Sequence, residues 1–194
     1  MRVKRILCFV CLAVLLQTSA MCWRDAKLFV DEHNRYRKML LDGEVANQPT
    51  ARYMHMLSWD RLLSRNAQRL ASECRVGHDS GSERATPTFP LVGQNWAGTD
   101  NYTDAVRLWF EEYRFYDYRE NACEPGKLCG HYTQLVWAET RKVGCGVQNC
   151  PASTFLYGYS VVCNYGPAGN FLGQRPYVTT DDTNESDEQE YLIN

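Results

Sequence analysis

Apolar side chains recur at steps of three and four residues in three stretches of the chain, which is the spacing of one face of an α-helix. The first stretch covers residues 26–41, the second follows Asp60, and the third starts at Thr103 or Asp104. Aspartate and threonine are residue types that cap helix N-termini. We therefore predict three amphipathic helices. Their apolar faces contain Phe29, His33, Tyr36 and Leu40; Leu63, Ala67, Leu70 and Cys74; and Val106, Trp109, Phe110 and Tyr113.

The last third of the chain changes to a pattern typical of strands. Residues 143–147 and 157–163 are rich in β-branched and aromatic types, and the turn-forming stretch 149–153 separates them. This pattern predicts two antiparallel strands, to which residues 91–97 add a third. Residues 77–90 and 120–130 carry glycine and proline at spacings that predict loops without regular structure. Helices followed by strands indicate an α+β fold, with the helices packed on a small antiparallel sheet.

The first twenty residues have the composition of a secretory signal. Three basic residues precede the apolar run 6–16, and residues 17–20 are small or polar. The run is shorter than the roughly 18 apolar residues that a membrane span needs, and no later segment reaches that length. We therefore predict a signal peptide at residues 1–20, with cleavage after residue 22 as the alternative. The protein is then secreted and extracellular, without a transmembrane segment.

The predicted signal peptide divides the nine cysteines of the chain into two groups. Cys8 and Cys11 lie in the predicted signal, and seven remain if cleavage follows residue 20. Cleavage after residue 22 removes Cys22 as well and leaves six. In an oxidising extracellular compartment such cysteines form disulfides, but the sequence pattern alone leaves several pairings open.

Charge excludes one class of partner and marks one segment. The 21 basic and 23 acidic residues give a net charge of −2, which is unlike the basic surface of nucleic-acid-binding proteins. Acidic residues are concentrated between 181 and 190, which predicts a disordered acidic tail at residues 179–194.

Asn101 and Asn184 begin acceptor triplets for N-glycosylation, which the secretory route permits.

Two sequence strings carry a family resemblance. Residues 130–137 read GHYTQLVW, and residues 162–170 read VCNYGPAGN. Further matches are VDEHNRYR at 30–37, LSWDRLL at 57–63, CRVGH at 74–78 and WFEE at 109–112. With these strings the chain resembles the CAP superfamily of cysteine-rich secretory proteins, antigen 5 venom allergens and pathogenesis-related 1 proteins. It is most similar in character to secreted venom allergen-like members.

The resemblance implies a fold and a disulfide pattern. The expected fold is a three-layer α-β-α sandwich with a central antiparallel sheet, formed by a CAP domain at residues 23–178. The implied disulfides join Cys74 to Cys150, Cys145 to Cys163, and Cys123 to Cys129.

The resemblance also implies a cleft lined by His78, His131, Glu112 and Gln94. Two imidazoles and a carboxylate suit a divalent cation, and zinc is the ion we expect if the site holds one. Gln94 stands where the family has a second acid, and an amide cannot ionise for acid–base catalysis. The residues therefore favour a binding protein over an enzyme. The alternative for the histidines is a structural role as hydrogen-bonded side chains that orient loops.

Four aromatic residues follow the third predicted helix: Tyr113, Phe115, Tyr116 and Tyr118. In relatives, an aromatic-bearing loop in this region binds sterols, and fatty acids bind between helices, so we expect lipid binding here. The alternative is that these side chains simply pack the core. The expected function is a secreted protein that binds a sterol or other lipid and acts as an allergen-like effector. The competing hypothesis is a metal-dependent hydrolase, or a protein that regulates proteases, acting through the His/Glu cleft.

Overall fold

The structure is a computed structural model that describes residues 23–183. The predicted signal peptide lies outside these residues, as do Asn184 and most of the predicted acidic tail. Six β-strands and five α-helices are formed in the described part. The helices are α1 (Trp23–Leu41), α2 (Arg61–Ser72), α3 (Gly81–Arg84), α4 (Ala105–Glu111) and α5 (Gly130–Leu135). The strands are β1 (Ser58–Trp59), β2 (Gly93–Thr99), β3 (Tyr116–Asp117), β4 (Ala122–Cys123), β5 (Lys142–Asn149) and β6 (Tyr159–Gly166).

The central sheet has the strand order β1-β5-β6-β2. Its three long strands are antiparallel, as the sequence pattern predicts, and the two-residue strand β1 adds to β5 in parallel. A separate two-stranded hairpin joins β3 to β4. Strand β2 is an edge of the central sheet, which places residues 93–99 beside the loops that carry the candidate site.

Side chains of β6 alternate between two helical layers. Val162 packs with Ala67 and Leu70 of α2 on one face. Val161, Cys163 and Tyr165 belong to the main core on the other face, which includes Phe29, Trp109, Tyr132 and Leu135 from α1, α4 and α5. A strand directs successive side chains to opposite faces of its sheet. The architecture is therefore the expected three-layer α-β-α sandwich.

Helix α2 approaches the sheet very closely. Asp60 caps its N-terminus by accepting hydrogen bonds from the backbone N–H groups of Leu62 and Leu63. A Cβ atom at Gly144 would lie 2.2 Å from the backbone nitrogen of Ser64, and one at Gly146 would lie 2.3 Å from the helix backbone. Only glycine fits at these two positions of β5, because the helix backbone occupies the space of a side chain.

A buried arginine ties α1 to the segment after α5. Arg37 is fully buried, and its guanidinium donates hydrogen bonds to the backbone carbonyls of five residues: His55, Leu135, Trp137, Ala138 and Thr140. Five N–H donors in a planar fork can satisfy a loop that lacks regular backbone pairing. The side chain therefore holds the end of the GHYTQLVW string against α1.

The described residues contain three disulfides. They join Cys74 to Cys150, Cys123 to Cys129, and Cys145 to Cys163. The pairing implied by the family resemblance is confirmed. Cys22 lies outside the described residues.

Two loop predictions were wrong. Residues 77–90 contain the short helix α3, which begins after Ser80, where the side chain of Glu83 accepts a hydrogen bond from the Ser80 backbone N–H. This local capping outweighs the glycine and serine content that predicted a loop. In residues 120–130, Ala122–Cys123 form strand β4, because Cys123 pairs with Tyr116 across the hairpin.

The domain continues to pack beyond residue 178. Thr179 is buried, Ala51 forms a β-bridge with it, and the backbone N–H of Thr180 donates to the carbonyl of Thr50. A single 3₁₀ turn follows at Asp181–Thr183. Along residues 23–183, no helix is both long and apolar enough to cross a membrane.

Candidate functional site

His131 and Glu112 form a direct pair. His131 lies in the first turn of α5, and Glu112 begins the 3₁₀ turn Glu112–Phe115 that follows α4. His131 Nδ1 lies 2.6 Å from Glu112 Oε1, and Glu112 Oε2 accepts hydrogen bonds from the backbone N–H groups of His131 and Tyr132 at 3.0 and 3.1 Å. Backbone N–H groups at a helix start have no partner within the helix, so this carboxylate satisfies two of them. The indole of Trp109 stacks on the imidazole with ring centroids 6.2 Å apart.

His78 forms a second pair with Gln94. His78 Nδ1 lies 2.9 Å from Gln94 Oε1, and the Gln94 amide nitrogen donates to Asp79 Oδ1 at 2.9 Å and to Asn164 Oδ1 at 2.8 Å. An oxygen that accepts and a nitrogen that donates twice are available together only in an amide. Gln94 is therefore a hydrogen-bonding link between the His78 loop, its own strand β2 and strand β6.

Asp79 anchors this link. Its carboxylate is completely shielded from solvent and lies 2.7 Å from an Arg69 nitrogen and 3.0 Å from Arg84 Nη1. Arg84 also donates to Gln94 Oε1 at 3.2 Å. A buried carboxylate is stable only when its charge and lone pairs are matched, as they are here. The predicted cleft residue Gln94 thus joins an ion-pair network of Asp79, Arg69 and Arg84.

Neighbouring residues of β2 connect the two pairs. Gln94 holds His78, and the next residue, Asn95, donates from its amide to the backbone carbonyl of His131 at 3.0 Å. Asn95 also donates to the Tyr165 hydroxyl, which lies 2.8 Å from Nε2 of the buried His33. The four predicted cleft residues therefore form two separate pairs, one that contains Gln94 and one that is bonded to its neighbour Asn95.

The donors present fit a metal ion only in part. Nε2 of His78 and of His131 has no hydrogen-bond partner in the described residues, so each ring offers one nitrogen lone pair. Both oxygens of Glu112 are engaged by His131 and Tyr132. No group of three or more histidine, cysteine, aspartate or glutamate side chains between residues 23 and 183 is arranged to hold a metal ion. Each of the two pairs therefore offers one imidazole nitrogen, and Glu112 offers no unengaged oxygen.

The four predicted aromatic residues do not share one environment. Tyr116 and Tyr118 are buried, and burial raises the pKa of each to about 12. Their hydroxyls donate to Asn121 Oδ1 and to the Tyr177 carbonyl. The ring of Tyr113 contacts the rings of Phe110 and Tyr132. Phe115 is only partly buried.

A groove of about 1060 Å³ runs beside this segment, and we call it the aromatic groove. Its wall includes Phe115, Tyr116 and Tyr118, but not Tyr113. The disulfide from Cys123 to Cys129 fixes the loop along one side. The charged residues of the lining are Arg114, Asp117, Arg119, Glu120, Glu124, Arg175, Asp181 and Asp182. The groove therefore combines aromatic surface with many charges of both signs.

Asp79, Arg84 and Asn164 were not predicted as members of the site. Asp79 directly follows a predicted site residue, and Asn164 lies in the VCNYGPAGN string, so both carried a usable signal. Arg84 carried none, because it lies in a segment predicted as a loop.

A disulfide-stapled α-β-α sandwich with a paired His/Glu cleft at its sheet edge defines a recognisable class of protein. Residues 30–165 match the sequence profile of CAP, the cysteine-rich secretory protein family. The chain belongs to this family.

Similar proteins carry several names. The chain is 36% identical over 162 residues to GLIPR1-like protein 1 of Mus musculus, a match that covers 79% of the chain and 64% of the relative. It is 38% identical over 167 residues to venom allergen 5 of Polistes fuscatus, with 79% of each covered. The chain thus spans less than two thirds of the mouse relative's length.

Solved structures agree with the fold. The Schistosoma mansoni venom allergen-like protein 4 (SmVAL4) superposes with a TM-score of 0.72 at 28% identity, covering 82% of this chain and 97% of that one. The crystal structure of NaASP2 with Zn2+ gives a TM-score of 0.68 at 27% identity, covering 84% and 89%. The predicted fold and family are therefore confirmed.

Proposed function

We propose that this chain is a secreted CAP-domain protein that binds a sterol or another lipid in the aromatic groove. The observation that carries the proposal is the groove itself, because three of the four aromatic residues predicted to bind lipid lie in its wall. Its volume of about 1060 Å³ slightly exceeds the usual range of small-molecule sites, about 300–1,000 Å³. The partly exposed ring of Phe115 offers flat, low-entropy surface to a rigid sterol, and the charged groups of the lining suit a polar head.

Phe115 is the best residue with which to test this proposal. It is partly exposed, and its ring is covered on one side by the Lys127 ammonium, which lies 4.7 Å from the ring centroid. Tyr116 and Tyr118 are buried with bonded hydroxyls, so their removal would disturb the core as well as the groove.

The experiment is a titration with labelled cholesterol. We expect saturable binding to the unmodified protein and a loss of about tenfold or more in affinity for Phe115→Ala. Tyr53→Ala is the matched control, because Tyr53 is an exposed aromatic residue outside the groove. Binding that is unchanged in Phe115→Ala, or absent in the unmodified protein, would contradict the proposal.

Secretion is part of the same proposal. Three disulfides and the predicted signal peptide support passage through an oxidising compartment. Asn101 is exposed and its side-chain oxygen accepts hydrogen bonds from Thr103, which leaves the amide nitrogen free for a glycan. Mass spectrometry of the protein from the medium of expressing cells tests both points, through the mature N-terminus and the mass added at Asn101.

The likeness to venom allergen 5 supports an effector role outside the cell. We propose that the protein acts on neighbouring or host cells, either when it is loaded with lipid or through a surface that binds a partner. A partner would be an extracellular protein or a lipid.

Binding of a divalent cation at the cleft is the second candidate function. It is favoured by the free Nε2 atoms of His78 and His131 and by the crystallisation of a similar protein with zinc. Calorimetry with zinc tests the proposal, and equal heats in the unmodified protein and in His131→Ala would contradict it.

The hydrolase alternative has less support from the geometry. Gln94 cannot ionise, and its amide is held by Asp79 and Asn164. Glu112 is fully engaged in orienting His131 and the start of α5. A peptide substrate turned over by the protein and spared by Glu112→Gln would restore this alternative.

A further inference from the structure

Three loops at one end of the molecule expose leucine side chains. Leu128 lies in the loop closed by Cys123 and Cys129, Leu172 follows β6, and Leu91 precedes β2. Their exposed fractions are 69%, 104% and 65%. Each side chain therefore projects from the surface instead of contributing to the core, and we call the three together the leucine tips.

Hydrogen bonds hold these loops beside one another. The Asn170 amide nitrogen donates to the carbonyl of Gly130 at 2.8 Å, and its oxygen accepts from the Thr133 hydroxyl at 2.8 Å. These bonds place the segment that carries Leu172 next to the end of the Leu128 loop. Leu91 and Phe171 line a common groove, which brings the third loop to the same side.

The leucine tips adjoin the aromatic groove. Lys127 precedes Leu128, and its ammonium lies over the ring of Phe115 in the groove wall. Arg175, three residues after Leu172, lines the groove and donates to the carbonyl of Tyr118. Each of these two leucines is therefore followed or preceded, within three residues, by a cationic side chain that lies at the groove.

We propose that the leucine tips dock this protein on the surface of a phospholipid bilayer. Separate apolar side chains that project from loop ends can enter a fluid interface without a complementary pocket, and nearby cations then meet lipid phosphates. A flat protein partner would instead need a continuous surface. The inference rests in part on the proposed function, because a protein that carries a lipid must take it from a membrane, and docking here brings the groove to the bilayer.

The experiment is co-sedimentation of the secreted full chain with vesicles of phosphatidylcholine and phosphatidylserine. We expect the unmodified protein to sediment with the vesicles, and Leu128→Asp/Leu172→Asp to lose about tenfold or more in partitioning. The matched control is Leu156→Asp. Leu156 is 94% exposed but precedes β6, whereas Leu172 follows it, so the two lie at opposite ends of this strand.

A second variant distinguishes a loss of vesicle binding from a loss of folding. Leu172→Trp should bind vesicles at least as well as the unmodified protein, with a blue shift of the tryptophan emission on binding. Equal sedimentation of the aspartate variant and the unmodified protein, or equal losses in the Leu156→Asp control, would overturn docking through these loops. All proteins are compared with the same mature N-terminus, established by mass spectrometry.

The two proposals can fail separately. Cholesterol binding measured without vesicles reports on the aromatic groove alone. A protein that binds cholesterol but does not sediment refutes the docking site and leaves the lipid-binding function intact. A protein that sediments through the leucine tips but binds no cholesterol refutes the lipid-binding function.

Discussion

His131 and Glu112 are joined at two places, since one carboxylate oxygen meets the imidazole and the other accepts the backbone N–H of the same histidine. The carboxylate thereby fixes both the ring and the first turn of α5. Hydrogen bonds to a charged acceptor are stronger than those between neutral groups. This relationship makes Glu112 a structural element of the cleft whatever the cleft binds.

The first prediction concerns the charge on Glu112. Replacing it by Glu112→Gln should lower the free energy of unfolding by about 1–3 kcal/mol, because one charge-assisted acceptor becomes an amide nitrogen that faces N–H donors. Urea denaturation at neutral pH measures the change. Glu111→Gln is the control, because it removes only a surface ion pair with Arg107 and should cost less than Glu112→Gln. Equal losses in the two variants would contradict this role of Glu112.

The second prediction concerns the amide at position 94. In Gln94→Glu, a carboxylate oxygen would replace the nitrogen that lies 2.9 Å from Asp79 Oδ1, so two like charges would meet in a shielded site. The free energy of unfolding should fall by about 2 kcal/mol or more. Adding Asp79→Asn to this variant supplies a donor again and should restore part of the loss. A double-mutant cycle by urea denaturation measures the coupling between the two positions, and strictly additive effects would count against it.

The third prediction concerns acid stability. Burial lowers the pKa of His33 from 6.5 to about 4, where Nδ1 donates to the Phe29 carbonyl and Nε2 accepts from the Tyr165 hydroxyl. Below pH 6.5 the unfolded chain binds a proton that the folded protein does not, so stability falls as the pH drops from 6.5 towards 4. His33 alone should account for about 2–3 kcal/mol of that loss.

Denaturation at about pH 7 and about pH 4.5 tests this account of His33. In His33→Gln the difference between the two pH values should shrink by the amount attributed to His33. His55→Gln serves as the control, because His55 is only partly buried. An unchanged pH dependence in His33→Gln would show that the buried imidazole is not the group responsible.

The fourth prediction compares how much two disulfides stabilise the fold, given the different lengths of the loops that they close. Cys74 and Cys150 are 76 residues apart, whereas Cys123 and Cys129 are 6 apart. On the chain-entropy estimate, replacing the first pair by alanines costs about 4.5 kcal/mol and replacing the second about 2 kcal/mol. Denaturation of the two double variants measures the order. The reverse order would mean that native-state contacts, not loop closure, dominate.

Much of the fold could be predicted from the sequence. The apolar stripes give α1 and α2, and Asp60 marks the start of α2 because its side chain caps the first backbone N–H groups. Alternating β-rich segments give β5 and β6. The family resemblance supplies the disulfide pairing, which no periodicity contains.

Other features depend on tertiary contacts and could not be predicted. Helix α5 spans only six residues, so it carries too few turns for a helical pattern to show. Helix α3 depends on local capping at Ser80. The burial of Asp79 requires Arg69 and Arg84 to converge on it from two different elements, and this convergence arises only in the folded chain.

Only part of the candidate site could be predicted, because the rest also depends on tertiary contacts. His131 and Glu112 were both expected in the cleft because their sequence strings match the family, but the hydrogen bond between them arises only in the folded chain. The different environments of the four aromatic residues could not be predicted from the sequence. Phe115 and Tyr116 differ in burial because of the packing of the β3–β4 hairpin.

Photoaffinity labelling with a photoactivatable cholesterol tests whether the aromatic groove binds a sterol. After illumination and proteolysis, mass spectrometry should find the label on peptides that contain residues 114–124, and excess unlabelled cholesterol should prevent it. Label confined to peptides outside the aromatic groove, or insensitive to competition, would contradict the proposed lipid site.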